Sequence, residues 1–190
     1  MTRSPEIAAF LDASAIALRA SCTGDALRAA ETLISRFGKG GTDKGKGARL
    51  PVCGWVAPAL AAVPSQRAEL ARAFATIEGR LEWKRRSSAR ESDQPFWDGH
   101  ANAMILGPGG LEERDDLWIG ATVMAPGVTY AEHNHPPEEV YLSLTPGEWW
   151  NAQMDWTDPG PTGCIYNPPG IAHAMRSGKS PFLALWYLPL

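Results

Sequence analysis

Apolar positions recur at helical spacing in the first third of the chain and at strand spacing, or in short runs, in the rest. Ser4 followed by Pro5 predicts a helix start, with proline at the first helical position. Ile7, Phe10, Leu11, Ser14 and Leu18 then keep the 3.6-residue period, and Thr23-Gly24 ends the segment. Asp25 is placed to cap a second helix, with Leu27, Ala30, Ile34 and Phe37 on one face and Gly38 as its stop. A third begins near Ser65, carries Leu70, Phe74 and Ile77, and stops at Gly79.

Residues 38–48 read GKGGTDKGKGA, with glycine at 38, 40, 41, 45 and 47. Such a composition predicts a mobile linker. Gly40, four residues and then Gly45-Lys46 imitate a phosphate loop. Gly47, however, stands where Ser or Thr should hold magnesium, and a helix rather than a strand precedes, so that reading is set aside. A lid over an active site is the alternative to a linker.

From Leu81 onward the runs LEWKRR, FWDGHANAMIL, LWIGATVMA, VTYAEHNH, EVYLSL, EWWNAQ, CIYN, HAMRS and FLALWYL are aromatic and β-branched. Gly, Pro, Asn and Asp punctuate them. Many short strands without intervening helices predict a mainly β sandwich or barrel. The expected organisation is an N-terminal helical segment over residues 1–80 packing on a β-barrel catalytic domain over 81–190.

Composition narrows the partners. Lys+Arg 18 against Asp+Glu 21 gives a net charge of -3, which argues against nucleic acid as the main partner. No stretch of about 18 uncharged apolar residues is present, so no membrane span is predicted. Glu6 and Asp12 interrupt the apolar N-terminus, which is unlike a signal peptide, and a cytoplasmic location is expected. Cys22, Cys53 and Cys164 are scattered and lack a CxxC pair, poor grounds for a disulfide framework or a zinc knot. A homo-oligomer is compatible with the sequence.

The histidines carry the chemistry. In GVTYAEHNHPPEEVY, strand alternation puts His133 and His135 on one side. Pro136-Pro137 turns the chain, and Glu139 and Tyr141 share a face of the returning strand. His173, in NPPGIAHAMRS, can supply a fourth ligand from a distant strand. Imidazole nitrogen with carboxylate oxygen suits zinc, iron, manganese, cobalt or nickel. With no thiolate in the set, an open catalytic site is favoured over a closed structural one. His100, in WDGHAN, lacks a partner at ligand spacing and reads as an ordinary hydrogen-bonded histidine.

Gly127, five residues, His133-x-His135, three residues and Glu139 resemble the first cupin motif; Pro168-x-Gly170-x-x-His173 resembles the second. Gly147 falls one residue late, Gly163 is one too close, and Ser177 replaces the terminal Asn, departures that concern loop lengths rather than ligands. The run PGVTYAEHNHPPEEVYLSL further resembles the cupin lyases of dimethylsulfoniopropionate (DMSP), the DddQ-like group, and the helical first third and Trp-rich barrel resemble that group too. The resemblance implies a cupin β-barrel of jelly-roll type preceded by a helical segment. It also implies a metal-dependent β-elimination giving dimethyl sulfide and acrylate. Carried over by position, His133, His135, Glu139 and His173 are the ligands of one divalent transition metal ion (zinc, iron, manganese or cobalt). Tyr141 is the base and Tyr130 a second active-site tyrosine.

The implied substrate is a small zwitterion with a sulfonium and a carboxylate. A metal on the carboxylate acidifies the adjacent C–H. A phenol beside a cation is more acidic than its reference value near 10. Aromatic faces suit the sulfonium, with Trp186 the first candidate and Trp118 another. Tyr130 lies three residues before His133, so a regular strand turns it away; it reaches the site only across a bulge. Two other function classes remain: a non-haem iron cupin dioxygenase, and a non-catalytic cupin binding a small carboxylate.

Overall fold

Ser4 opens the first helix, α1 (Pro5–Ser21), and its Oγ accepts the N–H of Ile7 at 3.4 Å. The computed structural model describes residues 3–41 and 44–190. Three more helices complete an N-terminal layer: α2 (Gly24–Ile34), α3 (Val56–Ala61) and α4 (Ala68–Glu78). In α1 and α4 the expected faces are the buried ones. In α2 the buried face is Ala26, Ala29, Ala30 and Leu33, so the helix is rotated from the expected Leu27–Ile34 stripe. Alanines let α2 approach β10 and β5 closely, and the larger Leu27 and Ile34 pack at its margin. The segment Pro51–Trp55 (a 3-10 turn) and α3 were not anticipated, because Pro51, Gly54 and Pro58 mask the period.

Among the described residues ten strands follow: β1 (Trp83–Lys84), β2 (His100–Leu106), β3 (Leu117–Met124), β4 (Thr129–His133), β5 (Glu139–Ser143), β6 (Glu148–Asn151), β7 (Met154–Thr157), β8 (Ile165–Asn167), β9 (His173–Arg176) and β10 (Phe182–Pro189). Before β2 the chain makes one turn of helix, α5 (Phe96–Gly99), where a strand was expected from Phe96. The strands form two antiparallel sheets, one in the order β1-β2-β3-β10-β5-β8 and one in the order β4-β9-β6-β7. This is the mainly β, jelly-roll architecture with an N-terminal helical segment.

Parity along the large sheet explains its position between two environments. Ala101, Ala103, Ile119, Ala121, Val123, Val140, Leu142, Leu183, Leu185 and Tyr187 share one hydrophobic cluster with Ile7, Phe10, Leu33 and Phe74 of the helices. The alternate residues Asn102, Met104, Trp118, Thr122, Tyr141 and Trp186 line a cavity on the other face. Burying the helix-facing side chains contributes roughly 1.5–3 kcal/mol for each large one, so the helices hold the sheet and free its inner face for polar groups.

Of the glycine-rich loop, residues 42 and 43 lie outside the described residues. The remainder is tied down by Lys44 N–H to Leu111 O at 2.9 Å, Gly47 N–H to Arg80 O at 3.0 Å and Ala48 N–H to Leu81 O at 3.0 Å. None of its described residues lines the cavity on the inner face, so the lid alternative finds no placement there. Among the described residues no helix is long and apolar enough to cross a membrane.

Candidate active site

The cavity on the inner face encloses about 400 Å³. A buried carboxylate lines it: Glu139, the first residue of β5, at 3 % exposure. The helical layer fixes the start of that strand. Arg28 of α2 forms a fork with the neighbouring Glu138 at 3.0 and 2.7 Å, and Tyr166 Oη donates to the same carboxylate at 2.7 Å. From β8, Asn167 Nδ2 donates to Glu139 Oε2 at 3.3 Å, and Asn151 Nδ2 in turn donates to Asn167 Oδ1 at 3.0 Å.

Two imidazoles converge on the same carboxylate oxygen. His135 Nε2 lies 3.2 Å and His173 Nε2 3.3 Å from Glu139 Oε2. The donor atoms of His135, Glu139 and His173 all lie within 4.8 Å of one another. His133 stands beside this set rather than in it: its ring centroid is 4.0 Å from that of His173 and 6.3 Å from that of His135. The expected route to the cluster also differs. Strand β4 ends at His133, and His135 arrives from the loop beyond, not by alternation on one strand. That loop is locked to the His173 loop by Gly170, whose N–H donates to His135 O at 3.0 Å. Gly170 has φ +72°, a conformation that disfavours any side chain there.

All three imidazoles orient the same way chemically. Nδ1 of His133, His135 and His173 faces a backbone carbonyl (Ala131, Pro137 and Ile171) at 2.9, 2.9 and 3.0 Å. A carbonyl only accepts, so each Nδ1 carries the proton and each neutral ring keeps its lone pair on Nε2. His173 Nε2 is buried and has no hydrogen-bond partner. A buried nitrogen lone pair without a donor is costly, and a metal ion is a group that satisfies it. The residues present therefore fit a divalent transition metal, with His135, Glu139 and His173 as the core of the donor set.

The electrostatics agree. Burial and the neighbouring His173 push His133 down to about 2, so it is neutral at ordinary pH. Burial also lowers His173. For His135 burial acts downward too, but the hydrogen bond and charge of Glu139 outweigh it and raise the value.

Both tyrosines reach the cavity. Tyr141 follows Glu139 by strand parity and lines the same cavity, close enough for the Glu139 carboxylate to act on its phenol. Burial, then the Glu139 charge, push its phenol well above 10; the chain's own cation opposing this is Arg86, which also lines the cavity. Tyr130 gets there across a register shift in the β4–β9 pairing between Tyr130 and His133, the kind of interruption expected if it was to face the cavity. Its ring lies 5.0 Å from that of His133, and Asn102 Nδ2 donates to its hydroxyl at 2.8 Å. Burial raises the Tyr130 phenol, against the lowering effect of Arg86 and Asn102.

Trp186 and Trp118 both line the cavity. The Trp186 indole lies over Gly120, where a Cβ would meet its ring at 2.1 Å. Trp149 instead packs behind Tyr141 and against Phe182, and Trp156 lies under the Arg176 guanidinium. Arg86, Asn102 and Thr122 were missed as site residues. The signal for Asn102 and Thr122 is polarity at alternate positions of otherwise apolar strands. His100 is buried, accepts the Arg86 N–H at 2.9 Å and stacks on Phe96, as expected of a structural histidine.

A family model described as dimethylsulfoniopropionate lyase matches residues 27–184. The DMSP lyase DddQ of Ruegeria pomeroyi is 31% identical over 116 residues, which is 60% of this chain and 57% of that protein. The match thus spans little more than half the length of the curated relative. Among solved structures, one described as the DMSP lyases RdDddP and RnDddQII superposes with a TM-score of 0.76 at 20% identity, covering 97% of this chain and 92% of that one. DddQ of Ruegeria pomeroyi superposes with a TM-score of 0.72 at 24% identity, covering 96% and 91%. At these identities the superpositions speak for the fold.

Proposed function

Because the chain belongs to the dimethylsulfoniopropionate lyase family, we propose that it is a carbon–sulfur lyase cleaving that compound to dimethyl sulfide and acrylate, with residues 81–190 as the catalytic barrel. The observation carrying the site assignment is the orphaned His173 Nε2 facing Glu139 beside His135, where Glu139 and His135 line a cavity shared with two tyrosines and two tryptophans. His135, Glu139 and His173 would hold a divalent transition metal, and His133, whose ring lies 4.0 Å from that of His173, would join them as a fourth ligand by moving in from beside the set. The bound ion supplies Lewis acidity to the substrate carboxylate.

The chain's own groups do the rest. The sulfonium is already a good leaving group, so the slow event is removal of the proton next to the carboxylate. Tyr141 is the base, because it shares a face of β5 with Glu139 and lines the cavity at the edge of the donor set. Burial and the Glu139 charge hold that phenol protonated, so its activation needs positive charge, to which Arg86 contributes. Tyr130, oriented by Asn102, is the second hydroxyl at the reacting end. Trp186 and Trp118 face the sulfonium and keep water from it. As the Cα–H bond breaks, its electron pair forms the double bond, and the Cβ–S pair leaves with dimethyl sulfide.

The test is direct. Protein loaded in turn with zinc, iron(II), manganese or cobalt is given the substrate, and headspace dimethyl sulfide and dissolved acrylate are measured. Equal amounts of both support the reading; neither product with any metal overturns it. Oxygen uptake with Fe(II) in the absence of dimethyl sulfide would assign the dioxygenase class instead.

A further inference from the structure

Two of the three cysteines, distant in sequence, meet outside the active site. Cys22 closes α1, its N–H donating to Leu18 O at 2.9 Å, and Cys164 immediately precedes β8. The two thiols lie close enough to act on one another, and Arg67 acts on both. Arg67 fixes their approach from between: Nη1 donates to Ser21 Oγ and Nη2 to Gly163 O, each at 2.7 Å. Those are the residues directly preceding the two cysteines. The Gly163 turn is tight, since a Cβ there would meet Pro159 O at 2.3 Å.

Arg67 is 2 % exposed, and its Nε has no partner. The ionisable groups acting on it are Tyr187, Cys22 and Cys164, with no carboxylate among them. A buried guanidinium without a counter-anion is costly. Burial pushes the Tyr187 phenol up and its hydroxyl is bonded to Ser14, which leaves a thiolate as the anion this site can supply. The hydrogen bond from Cys22 and the Arg67 charge hold the Cys164 thiol down against burial, whereas Cys22, hydrogen-bonded and buried, is pushed up. Cys164 is also the partly exposed member, open to a small oxidant, while Cys22 is buried.

We infer that Cys22, Cys164 and Arg67 form a peroxide-reactive dithiol site, with Cys164 the attacking thiolate and Cys22 the resolving thiol. The Cys164 sulfur attacks one oxygen of hydrogen peroxide; the O–O bond breaks, giving a sulfenic acid and a hydroxide that leaves as water. The Cys22 sulfur then attacks the Cys164 sulfur, the S–O bond breaks, and the departing hydroxide takes the Cys22 proton. Two thiols and one peroxide become a disulfide and two waters. The bond staples helix α1 to the barrel loop before β8.

The experiment uses the full chain. Hydrogen peroxide is titrated in, free thiols are counted, and peptides are mapped without reduction. One equivalent should consume two of the three thiols and yield a peptide joining Cys22 to Cys164, with the buried Cys53 left reduced. In C22S, dimedone should trap the Cys164 sulfenic acid. On the unaltered protein, the rate of Cys164 alkylation by iodoacetamide should have its pH midpoint below the free-thiol value of about 8.5. R67M should slow that alkylation about tenfold at pH 7, and R67K should restore most of it. The inference is overturned if the joined peptide does not form, if Cys53 oxidises as readily, or if the alkylation midpoint lies at or above the free-thiol value.

Discussion

Replacing Tyr141 with Phe isolates the proposed base. The ring is buried and packs on Trp149 at a centroid distance of 5.8 Å, so Phe keeps the packing and removes one oxygen. Glu139 retains His135, His173 and Asn167 around its Oε2, so no buried charge is stranded. The cost to the fold is then at most that of one net hydrogen bond, about 1 kcal/mol, or about 2–4 °C in melting temperature for a chain of this size. A positioned general base contributes about 10²–10⁴-fold, equivalent to about 2.7–5.4 kcal/mol on the barrier. Dimethyl sulfide release at saturating substrate should fall by at least about 100-fold, with metal content unchanged. The parallel variant Y130F loses the Asn102 contact to its hydroxyl, and Asn102 still accepts from Thr122 Oγ1 at 2.7 Å. Turnover of Y141F close to the parent's, with metal bound, refutes the assignment. A larger loss in Y130F than in Y141F would move the base to Tyr130.

Three further outcomes follow from the geometry. W186L keeps an apolar wall but removes the π face, worth about 0.5–2 kcal/mol to a cation; KM should rise about 2–30-fold with kcat less affected, and an unchanged KM would place the sulfonium elsewhere. G120A should displace the Trp186 ring, because a Cβ there would lie 2.1 Å from Cζ2 and 2.4 Å from Ala103 O; a parent-like melting temperature and KM would contradict that packing. Buried His100 is held neutral, chiefly by desolvation, so its folded value lies below its unfolded one. The unfolded state then binds more protons, and stability falls as pH drops below about 6.5, by up to about 1.4 kcal/mol per pH unit for this group. Denaturant unfolding between neutral and mildly acidic pH should show that slope, and H100Q should flatten it; an identical slope in H100Q would rule out His100 as its source.

Much of the fold was legible because its signals are local. Ser4-Pro5 caps α1 as read, and the alternating aromatic runs became strands. The rotation of α2 was not legible: its period admits two faces, and close approach to the sheet selects the alanine one. Phe96–Gly99 looked like strand because Phe and Trp favour both states, and one helical turn precedes β2. At the site, the shared face of Glu139 and Tyr141 followed from strand parity, and the pairing of β4 shifts register between Tyr130 and His133. His135 is brought in by a loop held through Gly170, and Asn102, Thr122 and Arg86 come from segments whose proximity depends on the sheet order. The meeting of Cys22 with Cys164 is of the same kind: 142 residues of separation carry no local signal.

The account rests on a metal clasped by His135, Glu139 and His173 and on elimination at the carboxylate it binds. Its most direct test follows dimethyl sulfide production while metal is stripped with a chelator and then returned, with metal per chain measured at each point. Activity should vanish with the ion, return in proportion to it up to one ion per chain, and fail to return in E139Q. Undiminished release from metal-free protein, or full recovery in E139Q, would contradict the account.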